Sequence, residues 1–240
     1  MKAMIMAAGK GTRLGKITQT TPKALTEING KSLLRMAVEK CADAGFDEII
    51  VNVHHFADLV EEEIVKLNKS GFKISVSDER RLLLENGGGL YKARQFFGRS
   101  PFLVYNVDIV TDLDLSALYI EHVKNGCIAT LAVRHRSDTR VLLTNMAGCL
   151  RGWRNRTTGE EIVTTAGASE KLGEIAFSSV QMIDPEIFYY MHEGIYTIVS
   201  LYLQLADTFS IATFTHDSGY WFDIGTPESL ESVRKYLLPG

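Results

Sequence analysis

Lys2-Ala3-Met4-Ile5-Met6-Ala7 runs straight into Ala8-Gly9-Lys10-Gly11-Thr12-Arg13-Leu14, and Thr21-Pro22-Lys23 follows. A short apolar run of this kind reads as a buried strand. Its opening into a Gly-rich, basic turn predicts a phosphate cradle. Glycines let backbone N–H groups converge on anionic oxygens, and Arg13 and Lys23 add full charges. Two familiar phosphate loops fail on counting. A Walker A loop ends in Gly-Lys-Ser/Thr, whereas Gly15-Lys16 is followed by Ile17. The dinucleotide fingerprint needs Gly-x-Gly-x-x-Gly, and Gly9, Gly11 and Gly15 are spaced one residue too long.

Beyond this start, apolar runs at 2–7, 48–53, 72–77 and 101–105 are short enough for buried strands. Between them, Leu34, Ala37, Val38 and Cys41 recur at helical spacing, as do Phe56, Leu59, Val60, Ile64 and Leu67. Lys92 to Phe97 reads as the continuation of a helix begun after Gly89. This alternation predicts a mainly parallel sheet covered by helices, a Rossmann-like three-layer α/β/α arrangement. The second half is less regular. Segments 128–134, 140–143, 149–153 and 174–183 read as strands of an antiparallel extension, with a turn at Met146-Ala147-Gly148. Asp184-Pro185 and Thr226-Pro227 each announce a helix, an N-cap followed by proline at the first helical position. No repeat, low-complexity tract or linker divides the chain, so residues 1–240 are expected to form one domain.

The chain has 240 residues, 45% of them hydrophobic, with a net charge of −3. That balance gives no electrostatic footprint for nucleic acid or an anionic membrane. No apolar run approaches the roughly 18 residues of a membrane span. The N-terminal run turns basic after Gly9, unlike a signal peptide. Cys41, Cys127 and Cys149 are widely spaced and show no metal-ligand pairing, which fits a reduced, cytoplasmic protein.

Phe102-Leu103-Val104-Tyr105-Asn106-Val107-Asp108 is an apolar strand running out to a carboxylate. Ligands of open α/β sheets bind at the carboxyl ends of strands. A carboxylate beside a triphosphate calls for an intervening divalent cation, so Asp108 reads as a Mg²⁺ ligand. Asp112 and Asp114 look like turn and cap residues. A second carboxylate, Asp223, sits among large apolar residues in Tyr220-Trp221-Phe222-Asp223-Ile224-Gly225-Thr226. Glu85-Asn86-Gly87-Gly88-Gly89-Leu90 precedes a helix, where glycines would let a flat base approach the backbone. His54 and His55 lack a partner cluster and read as structural or rim residues. Arg134, Arg136, Arg140, Arg151, Arg154 and Arg156 read as a solvated basic scatter, with some available to an acidic sugar.

Gly9 to Lys23, Glu85 to Gly89, Asn106 to Asp108 and Trp221 to Thr226 together resemble the signature blocks of the sugar-1-phosphate nucleotidyltransferases, in the family's order. Among members, the length and the Glu-x-Gly-Gly-Gly block look most like the small N-acetylmuramate-1-phosphate uridylyltransferases. The resemblance implies a nucleotidyltransferase fold of the GT-A-like kind and transfer from a nucleoside triphosphate to a sugar 1-phosphate, with Mg²⁺. It implies nucleotide contacts from Ala7, Ala8, Gly9, Gly11, Thr12, Arg13, Glu85, Gly87 and Gly88. Asp108 and Asp223 would hold the metal. Lys23, Asn106 and Ser178 would face the sugar phosphate, with Arg13 and Lys23 as the catalytic cations. A monomer or homodimer is expected.

Three departures stand out. Pro22-Lys23-Ala24 replaces Pro-Lys-Pro, Val107 stands where glycine is usual, and Gly152-Trp153-Arg154-Asn155 occupies the region of a Glu-Lys-Pro segment. Other bases, other sugars, choline phosphate and a non-catalytic nucleotide-sugar sensor remain alternatives at this level.

Overall fold

A computed structural model describes residues 1–238, leaving aside the side chains of Lys16 and Ile17. Strand β1 (Lys2–Met6) leads through β2 (Glu27–Ile28) and β3 (Lys31–Ser32) to α1 (Leu33–Asp43) and β4 (Glu48–Val53). Then come α2 (Ala57–Lys69), β5 (Lys73–Asp78), α3 (Glu85–Lys92) and β6 (Phe102–Asn106). Next in order are β7 (Ile109–Thr111), α4 (Leu115–Asn125), β8 (Ala129–Arg134), β9 (Arg140–Thr144) and β10 (Leu150–Asn155). The chain ends with β11 (Glu161–Val163), β12 (Gly173–Ile183), α5 (Ile198–Leu205), β13 (Ile211–Thr215), β14 (Trp221–Asp223) and α6 (Pro227–Tyr236).

Two compact units emerge. The first comprises Met1–Leu84, Val104–Leu113 and Gly219–Gly240. Its sheet runs β6-β1-β4-β5, with β4 parallel to both β1 and β5. Five of the six residues of β4 are buried, as the apolar run requires of a strand between two neighbours. Helix α1 begins where the Ser32 hydroxyl accepts the Arg35 N–H, and it buries Leu33, Leu34, Ala37, Val38 and Cys41. Burial pushes the Cys41 thiol up to about 12, so it packs as a small hydrophobe. Helix α2 buries Val60, Ile64 and Leu67 on one stripe.

The same unit contains a feature that patterning missed. β7 and β14 form a separate antiparallel pair, with Asp223 opposite Ile109. Strands of three residues carry too little periodicity to be read from sequence. Phe222 and Tyr220 pack on Tyr236 of α6. That helix starts at a reciprocal cap, in which Thr226 and Ser229 each accept the other's backbone N–H.

The second unit comprises Glu85–Leu103 and Asp114–Ser218. β12 pairs antiparallel with β9 over its first residues and with β8 over the remainder. β13 runs parallel to β8, and β9, β10 and β11 continue antiparallel. The register of β12 against β8 slips between Phe177 and Gln181, where Ser179 adopts a φ of +59°. Helices α4 and α5 and strand β13 were not legible as elements. Asp114 caps α4, as its sequence context predicts. One expectation needs correcting. Gly87, Gly88 and Gly89 lie inside α3 rather than in a loop before it.

The Thr226 cap holds the helix that follows Asp223 directly. Thr226→Ala is expected to cost about 1 kcal/mol and to lower Tm by roughly 2–4 °C. Denaturant titration with an unchanged slope would verify it, and a shift under a few tenths of a kcal/mol would show the cap to be dispensable.

Candidate active site

Within the first unit, the turn after β1 is shaped around Lys23. Gly11 has a φ of +64°, and a Cβ there would come within 2.9 Å of the Lys23 Cβ and 3.0 Å of the Thr18 methyl. Any larger residue would collide with the lysine stem. Thr18 closes the turn by donating its hydroxyl to the Gly11 carbonyl at 3.0 Å. Pro22, with φ −62° and ψ 146°, then delivers Lys23 into a short 3₁₀ turn. The lysine side chain is only 9% exposed. An ammonium in that position requires an anionic partner.

It has two. Lys23 Nζ donates to Asp108 Oδ2 and lies 3.9 Å from Asp223 Oδ1. The backbone explains the convergence. Val107 is buried and donates its N–H to the Met6 carbonyl at 3.1 Å, extending the line of β6 past its last residue. Asp108 follows at the bend into β7, and Asp223 lies opposite Ile109 across the β7–β14 pair. The Ile224 N–H donates to the Asp108 carbonyl at 2.9 Å, pinning both carboxylates to one place. Asp108 therefore sits in the turn between two strands, and Asp223 ends a strand of the small pair.

Arg13 completes the cluster at its rim. Its side chain is 68% exposed, and Nη2 lies 3.8 Å from Asp223 Oδ2. The guanidinium rests on Gly225, where a Cβ would meet Nη2 at 2.9 Å and Cζ at 3.0 Å. Two carboxylates facing one cation form the hard-oxygen pair that suits Mg²⁺. Among the described residues no third His, Cys, Asp or Glu joins them, so phosphate oxygens and water would fill the remaining positions.

The backbone residues implied for nucleotide divide clearly. Ala7 and Ala8 are buried, and both donate their N–H groups to Asn52 Oδ1, at 2.7 and 3.3 Å. Gly9 and Thr12 are exposed. Asn106 closes β6, half-buried. In the second unit, Glu85 is exposed with a φ of +59°. Gly87 and Gly88 are buried in the first turn of α3. Gly87 donates its N–H to the Tyr196 carbonyl at 3.0 Å, and a Cβ there would lie 2.6 Å from the Tyr196 ring. Ser178 is fully buried, its hydroxyl 2.7 Å from His216 Nε2.

The arginine scatter is largely occupied within the protein. Arg154 pairs with Glu161 and Glu174, Arg156 with Glu174, Arg136 with Asp138 and Arg151 with Glu170. Arg134 donates to the carbonyls of His216, Asp217 and Ser218. These groups brace the second unit's sheet and loops. His54 packs locally, its Nδ1 lying 2.8 Å from the Glu79 carbonyl. Sequence reading passed over Asn52 and Glu79, buried at 3% and 1% exposure. The signal was an Asn inside the apolar run 48–53 and a Glu directly after β5.

Known proteins resemble this chain in sequence and in fold. The nucleotidyl transferase family model matches residues 2–141. The N-acetylmuramate α-1-phosphate uridylyltransferase of Caulobacter vibrioides is 31% identical over 95% of this chain and 93% of its own length. The UTP–glucose-1-phosphate uridylyltransferase of Synechocystis is 30% identical over 99% of this chain, which spans 63% of that longer protein. Among solved structures, HddC from Yersinia pseudotuberculosis superposes with a TM-score of 0.77, covering 98% of both chains at 21% identity. The last likeness speaks for the fold, and the first two for the lineage. The chain belongs to the nucleotidyl transferase family and stands among its sugar-1-phosphate nucleotidyltransferases.

Proposed function

We propose that this nucleotidyltransferase joins UTP to N-acetylmuramate 1-phosphate, giving the UDP-sugar and pyrophosphate. The observation that carries the transfer chemistry is the cluster in which Lys23 lies between Asp108 and Asp223, with Arg13 at its edge. The reaction brings two polyanions together, and such a cluster offers cations for their phosphates and carboxylates for a divalent ion. The choice of base and sugar is supported by the Caulobacter vibrioides relative, which is similar along almost its whole length. The Synechocystis relative favours a second reading, UTP with glucose 1-phosphate.

An oxygen of the sugar phosphate attacks the α-phosphorus of the triphosphate, and the bond to the β-phosphate oxygen breaks. The nucleophile is already an anion at neutral pH, so no general base is needed. Catalysis then consists of positioning and charge stabilisation. Lys23 would turn from Asp108 to bridge the α-phosphate and the incoming sugar phosphate. Arg13 and the backbone of Gly11 and Thr12 would hold the β- and γ-phosphates. Mg²⁺ on Asp108 and Asp223 would supply positive charge at the α-phosphate. Three free cysteines suit the reducing cytoplasm as the place of reaction. Among the described residues no helix is long and apolar enough to cross a membrane.

Pyrophosphate release, measured for four nucleoside triphosphates against a panel of sugar 1-phosphates, tests the assignment. With UTP, kcat/KM for N-acetylmuramate 1-phosphate should exceed that for glucose 1-phosphate about tenfold or more, which is about 1.4 kcal/mol of discrimination. Equal rates would favour the second reading, and a preference for GTP would sink both.

Asp108→Asn and Asp223→Asn should each lower turnover by roughly 10²–10³ with an unchanged circular dichroism spectrum. Mn²⁺ binding, followed by electron paramagnetic resonance, should weaken in parallel. Wild-type binding in either variant would remove that residue from the metal site.

Gly225→Ala separates seating from folding. The introduced methyl group would displace the flexible end of Arg13 rather than backbone. Thermal stability should stay within about 2 °C, while KM for the triphosphate should rise about three- to tenfold, the worth of a weakened charged contact. An unchanged KM would show that Arg13 does not need this seat.

A further inference from the structure

Asn52 is the one polar residue among the five buried positions of β4, and Glu79 is a carboxylate at 1% exposure. Burying either group costs free energy unless each polar atom is matched. The matching is specific. Asn52 Oδ1 accepts both the Ala7 and Ala8 N–H groups, and Asn52 Nδ2 donates to Glu79 Oε1 at 2.9 Å. Glu79 Oε2 accepts the Leu84 N–H at 3.2 Å. Glu79 also donates its own N–H to the Val53 carbonyl at 2.8 Å.

The carboxamide has one workable orientation. A carboxylate can only accept, so Nδ2 must face Glu79 and Oδ1 must face the turn. The ladder between β1 and β4 ends at Met6 opposite Asn52. Just beyond it, the chain bends away and leaves the next two N–H groups buried, at 7% exposure for Ala7 and 5% for Ala8. One side-chain oxygen takes both. Those residues open directly into Gly9-Lys10-Gly11-Thr12-Arg13. At the other end of the relay, Leu84 immediately precedes Glu85-Asn86-Gly87-Gly88. Two stretches assigned to the nucleotide thus begin at backbone amides anchored to a single buried carboxylate, one of them through Asn52.

We propose that Asn52 and Glu79 are positioning residues for the nucleoside triphosphate, fixing the turn after β1 and the approach to Glu85 from inside the fold. Both act through the backbone they hold, without touching substrate. The role rests on the nucleotidyl-transfer reading above, and it adds a selective consequence. Loss of the relay should disturb triphosphate binding and leave the sugar phosphate's own contacts intact.

The test uses the full chain and steady-state kinetics with each substrate varied in turn. Direct titration with Mg²⁺ and a non-hydrolysable UTP analogue accompanies it. Asn52→Ala should raise KM for the triphosphate about tenfold, the effect of orphaning buried donors, with KM for the sugar 1-phosphate within about twofold. Asn52→Asp should do at least as much harm, because two carboxylates would then face each other. Glu79→Gln should fall between, since its amide can satisfy only one of the two N–H donors.

The double variant N52D/E79Q is the decisive measurement. Its carboxylate at position 52 can accept both turn amides and also the new side-chain amide from position 79. The amide oxygen at 79 remains for the Leu84 N–H. The four side-chain hydrogen bonds described above survive with one polarity reversed, so affinity for the UTP analogue should return to within about threefold of wild type. A merely structural role predicts that both KM values move together, following thermal stability. Equal shifts in both, an unaltered triphosphate KM in Asn52→Ala, or a double variant no better than N52D would each overturn the proposal. A wild-type protein that transfers no nucleotide would overturn the parent reading instead, which keeps the two failures distinct.

Discussion

The ammonium of Lys23, largely withdrawn from water between Asp108 and Asp223, is the constraint around which the first unit is arranged. Carboxylates this near each other repel unless a cation lies between them, and a buried lysine is costly without an anion. Each group thus makes the others tolerable. The folding chain must bring together three segments distant in sequence: the turn after β1, the bend after β6 and the end of β14. Packing alone does not specify that meeting. The β7–β14 pairing and the Ile224–Asp108 hydrogen bond do, because they fix both carboxylates by backbone geometry.

The proposed reaction would let one cluster serve two anions. The same lysine that neutralises the carboxylates would supply the charge that the phosphates need. Exchanging a protein carboxylate for a phosphate oxygen would keep it paired throughout, and a divalent ion would take its place between Asp108 and Asp223. The exposed Arg13 can follow a ligand at little cost, because among the described residues its guanidinium is held only by its contact with Gly225 and a 3.8 Å approach to Asp223 at the solvent edge. On that proposal, carboxylates fixed by the backbone and cations that follow the phosphates would divide the labour.

The legible parts of the sequence were those whose signal is local. Strands β1, β4 and β6 are mainly apolar runs, β5 alternates Ile74 and Val76 with polar residues, and α1 and α2 carry a clear helical period, so their positions followed directly. Asp108 and Asp223 were visible because a carboxylate among large apolar residues is improbable as mere surface. The β7–β14 pair was not visible, since its strands are defined by a partner more than a hundred residues away. Ser178 was implied by the family resemblance alone, and its bond to His216 depends on which face of β12 is inward at an irregular register. The arginines from 134 to 156 looked like a free basic surface because their partners, Glu161, Glu170 and Glu174 among them, are set by strand pairing and loop packing. Asn52 was hidden for a related reason. Within an apolar run it reads as a blemish until its two amide donors are known.

The glycines show most clearly how a motif can be right for more than one reason. A Gly-rich loop beside basic residues suggests backbone opened toward a ligand. Here Gly11 leaves room for the stem of Lys23, Gly225 seats the guanidinium of Arg13, and Gly87 gives way to the ring of Tyr196. In each case the missing Cβ is filled by another side chain of the protein, and in the first two that side chain is a cation of the cluster. A substitution at Gly11 or Gly225 would therefore act through Lys23 or Arg13 before it acted on any backbone contact with phosphate. Conformational freedom is needed at Gly11, whose φ is +64°. At Gly87 and Gly225 the requirement is space alone. The motif thus encodes the placement of charge at least as much as the flexibility of a loop.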